Sequence, residues 1–410
     1  MAVPRVVIAG GGFSGSAVAR KLGLQAAVTV VSNDNFLLFT PMLAEAAVGD
    51  VDPRHIVTPV RQLAPDAALV QGTIKSIDIE RKAVTVEPVF GAGPVTVEGD
   101  VLVIALGSVP HTYGVPGVAE HALGFKGISD ALRVRNRVLA LLEAASRDRD
   151  PWLTRLAVVG AGYSGAELAA ALGDFVREAS DRFYHNVPTP SVTLVDAVER
   201  VTPALSQALS ASAARALHDR GVKLALGSAV TEVTERGVRL ANGDLIEAAT
   251  VIWSAGIRPN PLVAELGLPL SGGKLVVDRR MRAAPGIYAV GDVAEVPSAG
   301  GIVSPPTAQF ALRQGRYLGR HLLALERGSQ VRPFSYGTKG ELVSLGHRNA
   351  VGKVLGIPVS GLVAWFLWRS YYLLQLPTFL RKARVSLDWT LDMVFPPDVA
   401  WIPSSDLGPR

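Results

Sequence analysis

Two glycine runs carry the plainest chemistry in this chain of 410 residues. Gly10-x-Gly12-x-x-Gly15 and Gly160-x-Gly162-x-x-Gly165 each follow a short apolar run fit for a strand and open a stretch fit for a helix. The two places before the last glycine are Phe13 and Ser14 in the first run, Tyr163 and Ser164 in the second. Glycine at this spacing permits a tight turn and lets backbone approach a pyrophosphate, while the helix that follows aims free N–H groups at the anion. Either run alone is also compatible with a turn that only packs. Gly12 and Gly162 lie 150 residues apart, so a whole domain type is repeated. Two such sites in one chain point to a tightly held flavin and a nicotinamide that comes and goes.

Further polar groups sit where such sites need them. Asp196 ends the apolar run Val192–Val195, where its carboxylate would accept a ribose 2′-hydroxyl and repel a 2′-phosphate. That favours NADH over NADPH, with Arg200 nearby as an opposing charge. In the first unit the corresponding place is Ser32, which hydrogen-bonds without charge; Asp34 is the other candidate. Gly291-Asp292 closes the run Gly286–Val290 and offers a carboxylate for sugar-alcohol hydroxyls, although Gly-Asp alone is an ordinary turn. Pro305-Pro306-Thr307-Ala308-Gln309 opens a helix predicted to run to about Leu325. Its positive end would stabilise the anionic edge of a reduced flavin; the other reading is a capped surface helix. Gly107 follows the buried run Val101–Ala105, and Ala255 and Gly256 follow Thr250–Trp253.

Composition removes several alternatives. Without cysteine there is no disulfide, thiolate metal site, iron–sulfur ligation or redox dithiol. The seven histidines show no paired ligand spacing, so no protein-bound metal is expected; no nucleic acid partner is expected either. With 49% hydrophobic and 19% charged residues, large cores are available. The start, Met1-Ala-Val-Pro-Arg5, leads straight into a strand, and no secretory signal is expected. The uncharged run Val354–Trp368 stops at Arg369 after 15 residues, short of the roughly 18–20 a spanning helix needs.

Charge gathers at the far end. From Val331 onward nine Lys or Arg face five acids, which is +4 of the net +5. Four of the six tryptophans fall between 365 and 401, and residues 359–385 hold no acid but include Arg369, Arg381, Lys382 and Arg384. One reading is an ordinary core or dimer surface. The other is an interfacial anchor, with aromatic rings at headgroup level and cations toward anionic lipid.

Taken together, GGGFSG with NDNFLLFTPML, ALGS…VPGVAEHALGFK, GAGYSGAELA, VIWSAGIRPNP, IYAVGDVA, PPTAQFALRQG and the aromatic-basic tail resemble the type II NADH dehydrogenases, single-subunit flavoproteins that pass electrons from NADH to membrane quinone without pumping. The resemblance spans nearly the whole chain. It implies an α/β protein of two doubly wound Rossmann-like domains: a discontinuous FAD-binding domain (1–116 and 276–330), an NADH-binding domain (117–275) and a C-terminal membrane-anchoring region (331–410). It assigns Gly10, Gly12, Phe13, Ser14, Gly15, Ser32, Gly107, Gly291, Asp292, Ala308 and Gln309 to FAD. Gly160, Gly162, Tyr163, Ser164, Gly165, Glu167, Asp196, Ala255 and Gly256 go to NADH. Glu167 would stand beside the nicotinamide as one catalytic residue and Gln309 would face quinone as the other. Arg313, where the family has a second glutamine, and Arg369 complete the quinone side. Glu167 also has the plainer reading of an acid paired with a nearby cation. A homodimer, peripheral on the cytoplasmic side of the cell membrane, is expected. Two alternatives remain: a soluble NADH-dependent reductase of a small redox protein, and a flavin-bound interaction protein resembling apoptosis-inducing-factor-like proteins.

Overall fold

The computed structural model describes residues 4–91, 93–298, 302–338 and 340–401, so Lys339 and Arg410 of the basic C-terminal end lie outside the described residues. Six helices are used below: α1 (Phe13–Leu22), α2 (Leu43–Val48), α3 (Tyr163–Arg182), α4 (Ala308–Glu326), α5 (Gly361–Gln375) and α6 (Phe379–Asp392). The chain forms two compact units. The first comprises Met1–Leu38, Val57–Val109 and Ile257–Gly337, the second Phe39–Ile56, Pro110–Gly256 and Thr338–Arg410.

Unit 1 is built on an eight-stranded sheet ordered 282–284, 287–289, 101–104, 5–9, 27–32, 68–78, 83–88, 95–98. Its central strands run parallel, with Val7 paired to both Thr29 and Leu102. They read as near-continuous Val, Ile and Leu because both faces are covered; Ile8, Val30, Leu102 and Ile104 are fully buried. On one face α4 crosses α1 at very short range. Gly315 and Gly319, one helical turn apart, leave room for Ala17 and Lys21; a Cβ on either would sit 2.8 or 2.6 Å from the Cβ opposite.

Unit 2 repeats the plan with a fully parallel five-stranded sheet ordered 122–124, 250–253, 155–159, 191–196, 223–226. Two three-stranded antiparallel sheets accompany it, 230–247 and 340–360. Residues 39–56 belong to this unit because α2 packs on α3 and on the long helix Ile128–Asp148. The tail likewise adds its strands and helices to unit 2 and does not stand apart as a third body. Compared with the expected limits at 116/117 and 275/276, the crossings fall at 109/110 and 256/257.

Several aromatic and basic side chains of the tail turn inward. Trp365, Trp368 and Trp389 are buried, and so are Arg369 and Arg381. Arg381 donates to the Arg54 carbonyl at 2.7 Å. Leu362, Val363, Phe366 and Leu374 of α5 and Phe379, Leu380 and Leu387 of α6 face outward. Of the expected cations Arg384 is exposed and Lys382 half-buried, and Trp401 stays exposed while the other three tail indoles turn inward, so aliphatic and phenyl groups make up much of the outer surface.

At both glycine turns the helix passes against the turn itself. A Cβ on Gly15 would collide with the Gly10 carbonyl, whereas one on Gly12 meets nothing within 4 Å. Gly15→Ala is therefore expected to destabilise unit 1 by about 3 kcal/mol and Gly12→Ala to melt like wild type. Equal melting temperatures for the two variants would refute the distinction.

Candidate functional site

Unit 1 supplies the first turn. Gly10 donates its N–H to the Val31 carbonyl at 2.8 Å, drawing the turn over the end of strand 27–32. There the Ser32 side chain lies against Gly11: its Oγ would be 2.8 Å from a Cβ on that glycine. Asp34 sits in the exposed loop beyond. Helix α1 begins at Gly12 with no side-chain cap and no acid in its first turn. The positive end of the helix therefore favours an anion there. Gly12 faces open space, the approach a pyrophosphate needs, so the residues present fit a dinucleotide.

Around this turn the other expected groups gather. The Ser108 hydroxyl donates to Asp292 Oδ2 at 2.6 Å, fixing the carboxylate one residue beyond Gly107. Gly291 donates its N–H to Gln314 Oε1 at 2.8 Å and lies close enough to Ser14 that a Cβ would be 2.9 Å from its hydroxyl. Gln314, almost wholly buried, thus joins α4 to the Asp292 corner. Thr307 caps α4 by accepting from the Phe310 N–H at 3.4 Å, leaving Ala308 and Gln309 in the first turn. One turn on, the Arg313 guanidinium stands 4.3 Å above the Tyr336 ring, a cation–π contact.

Unit 2 repeats the geometry. Helix α3 begins at Gly162, again with no side-chain cap and no acid in its first turn, and Gly162 also faces open space. A Cβ on Gly160 would lie 2.7 Å from the Ala255 nitrogen, so the loop Ser254–Gly256 backs directly onto the turn. Asp196 accepts N–H bonds from Ala161 (2.5 Å) and Val198 (3.1 Å), which hold its carboxylate at the end of strand 191–196. Of the helix's first residues, Ser164 is exposed, while the Tyr163 hydroxyl donates to Glu341 Oε2 at 2.5 Å. Burial and that acid push the Tyr163 phenol above its usual range.

Beside α3 lies a small cavity lined by Glu45, Asp50, Glu167, Ser344, His347, Trp365, Trp368 and Arg369. It has about 20 Å³ of room for water centres, enough for one water. Glu167 Oε1 accepts from the Ser344 N–H at 3.1 Å, and among the described residues no cation pairs with it. Glu45 Oε2 accepts from the Trp389 indole at 3.1 Å. Burial raises both carboxyls to about 8, leaving them protonated at neutral pH. Arg369 is packed between the rings of Trp365 (4.0 Å) and Trp389 (4.6 Å), with Nη2 3.7 Å from Asp392. His347 Nε2 stands 3.5 Å from Asp50 and 3.6 Å from Asp392. Contact with Asp50, reinforced by Asp392 and Asp174, lifts its pKa to about 9 against the effect of burial. The acids lie far from His347 in sequence, so histidine spacing could not reveal this ionic group. The three expected quinone-side residues divide between the units, Gln309 and Arg313 in the first and Arg369 in the second.

Residues 4–315 match the family described as pyridine nucleotide-disulphide oxidoreductase, and residues 338–396 match the NDH2 C-terminal domain. A "Type II NADH:quinone oxidoreductase Ndh" of Mycobacterium tuberculosis is 30% identical, over 94% of this chain and 87% of that protein. A type II NADH:quinone oxidoreductase of Haemophilus influenzae is 30% identical, over 90% and 92%. The chain belongs to the type II NADH:quinone oxidoreductases. A solved structure of NDH2 from Plasmodium falciparum in complex with NADH shares the fold, with TM-score 0.91 and 18% identity over 97% of this chain and 100% of that one. As a type II enzyme without cysteine, the chain keeps the nucleotide frame of the wider family and dispenses with its disulphide chemistry.

The cavity makes unit 2 sensitive to pH. His347 rises from 6.5 to about 9, and Glu45 and Glu167 from 4.5 to about 8. Each folded value lies above the unfolded one, so each contribution to stability is full below the unfolded value and disappears as pH climbs through the folded one. The melting temperature is expected to fall between pH 6 and pH 9, and His347→Gln and Glu45→Gln are each expected to flatten that slope. A wild-type melting temperature that stays level or rises would contradict this.

Proposed function

We propose that this chain oxidises NADH at unit 2, holds FAD at unit 1 and reduces a membrane quinone while docked on the lipid surface. NADH and quinone are the reactants of its family, and the NDH2 C-terminal match speaks for quinone over a small redox protein as acceptor. The observation that carries the reading is the pair of uncapped helix starts at Gly12 and Gly162, each open to an anion. Bound FAD supplies a two-electron carrier between the nicotinamide and the quinone.

The chain's own residues do the rest. The N–H groups at Gly12–Gly15 bind the FAD pyrophosphate, Asp292 and Ser32 take its hydroxyls, and the start of α4 at Ala308 and Gln309 favours negative charge. Asp196 takes a ribose hydroxyl of NADH. Gln309 and Arg313 orient quinone carbonyls from α4, and Arg369 of α5 is the third residue assigned to quinone. NADH brings one proton with its hydride, so quinol formation draws one more from water; Glu167, protonated at neutral pH, is the acid we assign to that step. The outward Leu, Val and Phe groups of α5 and α6 favour peripheral attachment, since no described helix is long and apolar enough to cross a membrane. Attachment to the cytoplasmic face and assembly as a homodimer complete the proposal.

Purified protein is expected to be yellow, to bleach with NADH without oxygen, and to regain colour on adding ubiquinone or menaquinone. Gly12→Ala, folded, is expected to be colourless. A colourless wild type that takes up no added FAD would overturn the assignment. For attachment, Leu362→Asp with Phe366→Asp is expected to weaken liposome binding about a hundredfold while NADH still reduces ferricyanide at the wild-type rate. Liposome binding that survives the double change would remove the docking face.

A further inference from the structure

Tyr113 holds a backbone conformation that side chains avoid. Its φ is 54°, in the left-handed region, yet the residue is 61% exposed. Strain kept at an outward-facing aromatic points to use beyond packing. The segment is also pinned at three places. His111 donates its N–H to the Gly256 carbonyl at 3.1 Å, the Trp253 indole donates to the His111 carbonyl at 3.0 Å, and the His111 and Tyr113 rings stand 4.2 Å apart. The phenol rests directly on Gly256, where a Cβ would collide with it. Gly256 closes the loop that backs onto Gly160, so the ring is fixed beside the second nucleotide turn.

Strand order tells which part of the nucleotide it meets. Strands 250–253, 155–159 and 191–196 are parallel neighbours. Asp196 ends the third and marks the adenosine half, and the Gly162 turn after the middle strand takes the pyrophosphate. The remaining half then extends toward the end of strand 250–253, where Tyr113 stands.

We propose that Tyr113 is a rigid aromatic platform for the nicotinamide ring, positioning it at the unit 2 site; this rests on the assignment of NADH to that unit. A flat π face stacks on a heteroaromatic ring, and a ring already immobilised loses little freedom when the ligand arrives.

The test compares NAD⁺ with ADP-ribose, which lacks the nicotinamide, by calorimetry on the oxidised holoenzyme. Tyr113→Ala is expected to weaken NAD⁺ about tenfold and to leave ADP-ribose unchanged, while Tyr113→Phe keeps both. Unchanged NAD⁺ binding in Tyr113→Ala, or equal weakening of both ligands, overturns the platform alone, provided Asp196→Ala weakens both. If Asp196→Ala changes neither ligand, the nucleotide assignment fails and the platform fails with it.

Discussion

At both turns the chain passes closer to its own backbone than any side chain permits, and the two proposed nucleotide sites depend on that contact. Gly15 against the Gly10 carbonyl and Gly165 against the Gly160 carbonyl set each helix directly over the end of its strand. From there the neighbouring features follow. The helix start lies close enough to the sheet for Asp292 or Asp196 to reach the same opening, and Gly12 and Gly162 are left bare toward it. In unit 1 the constraint extends to a second helix, because Gly315 and Gly319 bring α4 onto α1 and so carry Gln314 to the corner.

Unit 2 adds a second theme, charge taken out of water. Arg369 is enclosed by two indoles and still carries its cation, since guanidinium does not deprotonate in proteins. Asp392 and Asp50 answer that charge together with His347. With both cations engaged by these two acids, Glu45 and Glu167 remain neutral in a space that holds little water. An acid that keeps its proton at pH 7 suits a reaction that consumes one, and the same burial makes the unit less stable in alkali.

Much of this was legible in the sequence wherever function and local spacing coincide. The glycine runs, Asp196 and the Gly291-Asp292 corner fall where the β-turn-α grammar puts them, because each is set by residues within a few positions. Contacts over long separations were not legible. Glu45 meets Trp389 across 344 residues and Glu167 meets Ser344 across 177, and no periodicity announces such pairs. Gln314 gives little signal, because a glutamine inside a helix usually faces water; only its place beside Gly315 in a helix that must pack tightly marks it. The directions of the tail's side chains were not legible for a physical reason. Composition counts arginines and tryptophans but not their direction, and here Arg369, Arg381 and three indoles turn inward.

That inversion has a consequence for the molecule on its own. Of the 29 large hydrophobic residues exposed among the described residues, 15 lie within 355–401, gathered in about a tenth of the chain. A patch of this kind finds cover wherever it can. Deprived of lipid, two copies meeting through it would hide the same leucines and phenylalanines, so in solution the apparent particle size would follow the amount of surfactant added more faithfully than any subunit interface.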